Sequence, residues 1–592
     1  MNRKRVLFAV ASLLLAAQLG AAPALAALIV DGGFRPAANG FKFQNHGNTL
    51  AGPVDAEGNP TQVPVTNLTA AEMIRFFGNQ VCASGSGQSC VLTPPAKQWM
   101  EQQNQSMDGG HCSGYSIMSA LVYSGSVSAS DFGAAAINDL NLAGNTPLQR
   151  EIAYWAATQG LLPGGGMDSQ NKDYDYVLDT LNAELAKPAA ERQLFELGIQ
   201  KRDQSGGHSI LPYAIDSLGN NKFDVLVYDN NYPGREMRIN IDRTAKTWKY
   251  ATSADPSQAA SDYDGDAASK TLFIRNVAAR LLPQQCPFCT TQAQSIQSPD
   301  NPDEVVLGAM ALIVGVGAFG RWQGWWAAPD SAVMEHAQAA TFIGGRAALV
   351  HATNADGQET GRKLNADGSV STVNDIPGSK ILENTVAIGA DAPPALNLPD
   401  NKPYTVVIDG RVITHTTLYE LSTYDANSFM AVEEIALQPG QIDTVTLHMD
   451  RSAQVYTMTH LTTADESPVM AIGVVNTGAD YEVRAKVNSD ASGQNIMMKL
   501  DNQAGKVAIR ALDNKQETFA VQIDRIDDES EITFSHSNIV IPANATLYLD
   551  YGMWTARGQA VTASLDLNSD GSIDQTMQLS DSIKLLVPML IK

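Results

Sequence analysis

The chain has 592 residues, too many for a single hydrophobic core, so two to four domains are expected. Its 63 acidic residues against 40 lysines and arginines leave a formal net charge of −23. A surface of that sign repels phosphate backbones and anionic bilayers, which argues against nucleic acid as a partner.

Residues 1–26 have the layout of a secretory signal: Arg3, Lys4 and Arg5, an apolar stretch from Val6 to Leu19, then Ala24-Leu25-Ala26 as a small-x-small cleavage site. The apolar stretch is short for a bilayer span. The expectation is therefore a mature chain beginning at Ala27, with no membrane span, secreted or held in the periplasm or at the cell surface. Residues 27–95 are rich in Gly, Asn, Pro and Thr and read as an N-terminal extension with one helix near Ala70 to Phe77. They are open to reading as a propeptide.

Residues 96–290 mix helices and strands. A glycine-rich loop, Asp108-Gly109-Gly110-His111, feeds an apolar run with Tyr115, Met118, Leu121 and Val122 at helical spacing. Further helices are expected over 129–140, over 147–159, where Leu148, Ile152 and Trp155 share a face, and over 174–185. Strands are expected over 194–199, 209–215, 223–228, 237–241 and 247–250. Helices first and strands after indicate an α+β domain.

Residues 291–338 read as a polar linker carrying an apolar segment, Val305 to Gly320, taken as buried chain rather than a membrane span. From 339 to 592, strands separated by Gly, Asn and Asp turns predominate. Examples are 404–408, 444–449, 455–459, 469–476, 481–487, 506–511, 518–523 and 545–551, a pattern expected of one or two β-sandwich modules. No repeat of fixed period is visible.

Cys112 stands where the glycine-rich loop becomes the helix. Free N–H groups and the positive end of the helix dipole favour a nucleophilic sulfur there. Of the other four cysteines, Cys82 and Cys90 flank a flexible loop and pair readily. Cys286-Pro-Phe-Cys289 reads as a disulfide, a redox pair or half of a zinc site. Two local pairs leave Cys112 free. A cysteine nucleophile needs a base and a group that orients it. Of the nine histidines only His111 and His208 lie in the α+β region, and His111, adjacent to Cys112, points elsewhere. His208 opens one strand and Asp229 follows the next. An antiparallel hairpin would bring these two together, and Asn230 or Asn231 could stand in for Asp229 as orienter. The expected triad is Cys112, His208 and Asp229.

Gly-Gly-His-Cys-Ser-Gly-Tyr before a helix, Gly-Gly-His-Ser-Ile on a strand and Val-Leu-Val-Tyr-Asp-Asn-Asn-Tyr-Pro-Gly after it resemble papain-like cysteine peptidases. The nearest in character are the leader-cleaving peptidase domains of bacteriocin exporters. The resemblance spans about residues 95–250 and implies a papain-like fold, a protein or peptide substrate and no cofactor for catalysis. It implies that Cys112 attacks a peptide carbonyl, His208 shuttles the proton and Asp229 orients His208. It also implies an oxyanion-holding glutamine shortly before the nucleophile. Gln105 is the candidate, with the Cys112 backbone N–H as the second donor.

A second motif lies near the C-terminus. Asp566, Asn568, Asp570, Ser572 and Asp574 alternate oxygen ligands around Gly571, as in the first part of a calcium loop, but Met577 occupies the twelfth position, where the bidentate Glu belongs. The competing reading is an acidic hairpin turn. If calcium binds, its role is structural. The leading functional expectation is a secreted cysteine peptidase working through a thioester acyl-enzyme, its β modules contacting a cell surface or carbohydrate. Beside it stand a cell-wall amidase or endopeptidase, a transglutaminase-like acyl transferase, and a non-catalytic adhesin.

Overall fold

A computed structural model describes residues 27–54, 59–169, 172–202, 206–251, 262–290, 337–344, 348–385, 394–399, 402–464, 466–488, 495–528 and 530–582. The proposed signal and the apolar run 305–320 lie outside them. The described chain forms a mixed unit of helices and strands followed by a large all-β unit. Among the described residues, no helix is long and apolar enough to cross a membrane.

Five helices of two turns or more shape the first unit: α1 (Ala70–Phe77), α2 (Pro94–Ser106), α3 (Cys112–Tyr123), α4 (Thr146–Ala157) and α5 (Tyr174–Leu185). α1 starts on a reciprocal cap, with the Thr69 hydroxyl accepting the Ala71 N–H and Glu72 accepting the Thr69 N–H. α3 and α4 cross so closely that a Cβ on Gly114 would sit 2.1 Å from the Ile152 carbonyl oxygen, which is why glycine is needed there. The helix expected over 129–140 is instead two 3-10 turns, Ala129–Phe132 and Ile137–Asp139; Gly133, at φ +90°, ends the first.

Eight strands make one antiparallel sheet: β1 (Ala27–Asp31), β2 (Phe195–Gln200), β3 (Gly207–Gly219), β4 (Lys222–Tyr228), β5 (Met237–Asp242), β6 (Thr247–Ala251), β7 (Asp262–Asp266) and β8 (Leu272–Asn276). Their order is β7-β6-β5-β4-β3-β2-β8, with β1 along the second half of β3, where Ala27 pairs with Ser217. The N-terminal stretch thus contributes a strand to the sheet, and its Phe34 and Phe41 are buried in the same core as α3.

The all-β unit packs a nine-stranded and an eleven-stranded antiparallel sheet around one core. From residue 417 onward, hairpins alternate between sheets: 417–437, 469–487 and 517–541 belong to one, and 442–461, 496–511 and 546–566 to the other. This is a regular architecture without a visible sequence repeat. Strict alternation needs only that every second residue face inward, as Val445, Leu447 and Met449 do, and many apolar residues satisfy that.

The two units share a boundary. Trp99 of α2 packs with Phe77, Phe288, Tyr424 and Phe429 in one cluster. The Tyr424 hydroxyl donates to Gln102 Oε1 at 2.6 Å, and the Asn427 N–H donates to the Phe288 carbonyl at 2.8 Å. Phe288 lies inside the Cys286–Cys289 disulfide, and Cys82–Cys90 forms the second. Both bridges suit an oxidising compartment. Cys112 is the free cysteine.

Candidate active site

Cys112 is the first residue of α3, and Gly110 before it takes φ +120°, a turn that L side chains rarely adopt. His111 is fully committed elsewhere. Its N–H donates to Asn45 Oδ1 at 2.7 Å, and its ring nitrogens lie 2.8 Å from the His46 carbonyl oxygen and 2.9 Å from Asn67 Oδ1. Burial, with His46 alongside, holds its pKa well below the ordinary value. It is a structural histidine.

β3 and β4 form the expected hairpin, pairing Leu211 with Tyr228 and Gly219 with Lys222. His208 on β3 and Asp229 just past β4 consequently meet, with His208 Nε2 2.7 Å from Asp229 Oδ1. The carboxylate also accepts the Asn231 N–H at 2.7 Å and the Tyr250 hydroxyl. Cys112, His208 and Asp229 are all 0% exposed. Burial alone would lower the His208 pKa. The charge and hydrogen bond of Asp229, joined by interactions with Cys112, outweigh burial and push it up to about 10. The imidazole is therefore positive at neutral pH. Asp229 occupies Nε2, which leaves Nδ1, buried and otherwise without a hydrogen bond, as the nitrogen available to the sulfur.

Asn230 has a different place from the orienting role open to it in the sequence. Its amide donates to the Cys112 carbonyl at 3.1 Å, to Ser116 Oγ at 3.3 Å and to the Ser209 carbonyl at 2.9 Å. It thus ties the first turn of α3 to β3, the two elements carrying Cys112 and His208. Ser116 Oγ reinforces the tie by donating to the Ser209 carbonyl at 3.1 Å. Below them lies a buried ionic cluster. Glu196 receives Ser209 Oγ and Arg280, Arg275 lies 3.5 Å from it, and Arg280 also donates to Ser113 Oγ and Thr158 Oγ1. Single buried polar residues of this kind leave no periodic trace, and sequence reading missed them all.

Gln105 lies exposed near the end of α2. Buried Gln103 reaches Gly160 instead, where a Cβ would sit 3.5 Å from its Oε1. Gln159, next in the chain to Gly160, is also buried.

Gln159 leads to the least expected feature. The Cys112 thiol donates to the Thr385 backbone carbonyl at 2.9 Å, across 273 residues of chain. Thr385 belongs to the all-β unit, three residues beyond the strand Lys380–Leu382. Gln159 Oε1 accepts both its N–H, at 2.9 Å, and its hydroxyl, at 3.0 Å. Arg275 donates to the Glu383 carbonyl, and the Glu383 carboxylate receives Gln200 Nε2 at 2.7 Å and Arg362. A stretch of the second unit is thus held against the sulfur.

Asp566, Asn568, Asp570, Ser572 and Asp574 span the turn joining Val561–Asp566 to Gln575–Leu579. Asp566 accepts the N–H groups of Asp570 and Gly571, Asp570 that of Ser572, and Asp574 that of Leu567. These carboxylates serve the turn's own backbone. Comparison with known protein families, with curated proteins and with solved structures finds no match for this chain.

Proposed function

We propose that the chain is a papain-like cysteine peptidase, exported, and latent in the form described. One observation carries the reading: a free, buried cysteine at a helix start neighbours a buried imidazole whose Nε2 a carboxylate holds at 2.7 Å. In the proposed cycle Cys112 Sγ, as the anion paired with the His208 imidazolium, adds to a peptide carbonyl carbon. His208 gives its proton to the departing amine as the C–N bond breaks, and a thioester on Cys112 forms. Water then adds to the thioester with His208 as base, releasing the acid and restoring the thiol. Asp229 keeps the ring oriented and offsets its charge throughout. The Cys112 N–H at the start of α3 is one oxyanion donor, and Gln103 and Gln159 replace Gln105 as the glutamines to test for the second.

Latency follows from the Thr385 carbonyl at the sulfur, because a substrate carbonyl needs the same space. The direct test is turnover of an unfolded protein such as casein by the full chain and by Glu383→Gln, which loosens the clamp without removing a side chain. Activity that rises in Glu383→Gln and vanishes when Cys112→Ala is added is the expected result. Turnover that survives Cys112→Ala would remove the proposal.

A further inference from the structure

The all-β unit carries charge where its alternation calls for hydrocarbon. β9 (Ile442–Asp450) and β10 (Val455–Leu461) are neighbours in the eleven-stranded sheet, with Val445 opposite His460. Val445, Leu447 and Met449 of β9 and Tyr456 and Met458 of β10 point into the core. By the two-residue period, Asp443 and His460 continue those inward rows, and both are 0% exposed. Glu466, on the connection from β10 to the other sheet, is buried beside them and anchored by accepting the Ala436 N–H at 2.9 Å. His460 Nε2 lies 3.7 Å from Asp443 Oδ2 and 3.7 Å from Glu466 Oε1, too far for a hydrogen bond to either. Both of its ring nitrogens are buried without a hydrogen bond. Among the described residues, no lysine or arginine forms an ion pair with either carboxylate.

We infer that Asp443, His460 and Glu466 form a binding site for a divalent transition-metal ion of the zinc class. Each offers one ligand atom, and all three atoms lie within 4.8 Å of one another; among the described residues no other group of three His, Cys, Asp or Glu side chains does so. A cation bonded at roughly 2.1 Å to each would see the imidazole nitrogen and either carboxylate oxygen at about 120°, compatible with a four- or five-coordinate ion. An imidazole among hard oxygens selects zinc, manganese, cobalt or nickel over calcium. Two buried carboxylates with no fixed cation are costly, and an ion resolves that cost together with the idle imidazole. Gln441 supplies outer support, its amide donating to both Asp443 oxygens at 2.8 and 2.9 Å and to Glu466 at 3.2 Å. Because β9 and β10 belong to one sheet and Glu466 to the crossing toward the other, the ion would pin the two sheets at this end of the sandwich.

The test uses the full mature chain, stripped with a chelator and titrated with zinc and, separately, with cobalt. One equivalent of zinc per chain by calorimetry and elemental analysis is expected, with a rise in Tm. The cobalt spectrum should lack a sulfur-to-metal band, which sets Cys112 aside. Asp443→Asn and His460→Gln, each close in shape to the parent, should lower zinc affinity at least 10-fold while circular dichroism stays that of a folded chain. Failure of the folded parent to bind zinc or cobalt stoichiometrically would overturn the site. Stoichiometric binding unchanged in both variants would overturn it equally, by placing the ion elsewhere.

Discussion

His208 concentrates the chemistry of the site in one ring, and its charge can be tested apart from turnover. Its pKa stands at about 10 in the folded chain against 6.5 for the free side chain, so folding takes up a proton at neutral pH. The resulting stabilisation is fully present below about pH 6.5, declines as pH rises through the window, and is gone above about 10. Urea unfolding of the full chain from pH 6 to 10.5 should show that decline, and Asp229→Asn should flatten it by removing the charge that holds the ring positive. In the proposed peptidase, measured in the Glu383→Gln background where the clamp is loosened, the same substitution should lower kcat by roughly 10²- to 10⁴-fold, the range for a mis-set general acid and base. Tyr250→Phe removes one hydrogen bond to a charged acceptor and leaves the carboxylate in place, so about 1.5–3 kcal/mol is its expected upper cost in stability. A His208 imidazole seen by NMR to titrate near 6.5 would contradict this account of the ring.

At the scale of elements, the site depends on three pieces: the start of α3, the β3–β4 hairpin and a strap, residues 380–385, that carries Thr385. The first two were legible. A glycine pair before an apolar helical run marks a helix start, and two apolar strands bounded by turn residues pair as a hairpin whatever surrounds them. Their ends therefore placed Cys112, His208 and Asp229 from local pattern alone. The strap was not legible, because its contact with Cys112 spans 273 residues and uses a backbone carbonyl, which has no residue type. Counting back along the chain locates Gln105 but not the side of α2 it faces, and it lies on the exposed side. Helical periodicity over 129–140 was overridden by one left-handed glycine, Gly133. If the strap guards the sulfur, alkylation of Cys112 by iodoacetamide should be slow in the parent. It should quicken several-fold in Gln159→Ala, where the Thr385 N–H and hydroxyl lose their acceptor. Equal rates in parent and variant would mean that Gln159 does not hold Thr385 in place.

At the scale of the whole molecule, the boundary between the two units behaves as core rather than as a loose contact. Tyr424, Phe429, Ala431 and Ala471 of the sandwich are buried in the same cluster as α2 and α3, so the units should unfold in one transition. At the polar edge of that boundary, Gln98 and Gln102 both donate to Glu420 Oε1 at 2.7 Å. Burial raises the Glu420 pKa most, the charges of Glu433 and Glu101 add to it, and Gln102 and Arg484 oppose it, leaving it at about 8 against an ordinary 4.5. A carboxyl raised on folding holds its proton in the native state and loses it in the unfolded one. Its penalty is absent below about pH 4.5, grows through the window and is complete above about 8, so the boundary weakens as pH rises. Glu420→Gln keeps a neutral group of the same shape between the two glutamines. Calorimetry at pH 5 and pH 8.5 should therefore show a smaller fall in Tm for Glu420→Gln than for the parent, the variant being the more stable at pH 8.5 and close to the parent at pH 5. Parallel falls in the two proteins would show that this carboxyl does not carry a proton into the boundary, and would shift the pH dependence onto other buried groups, His208 among them.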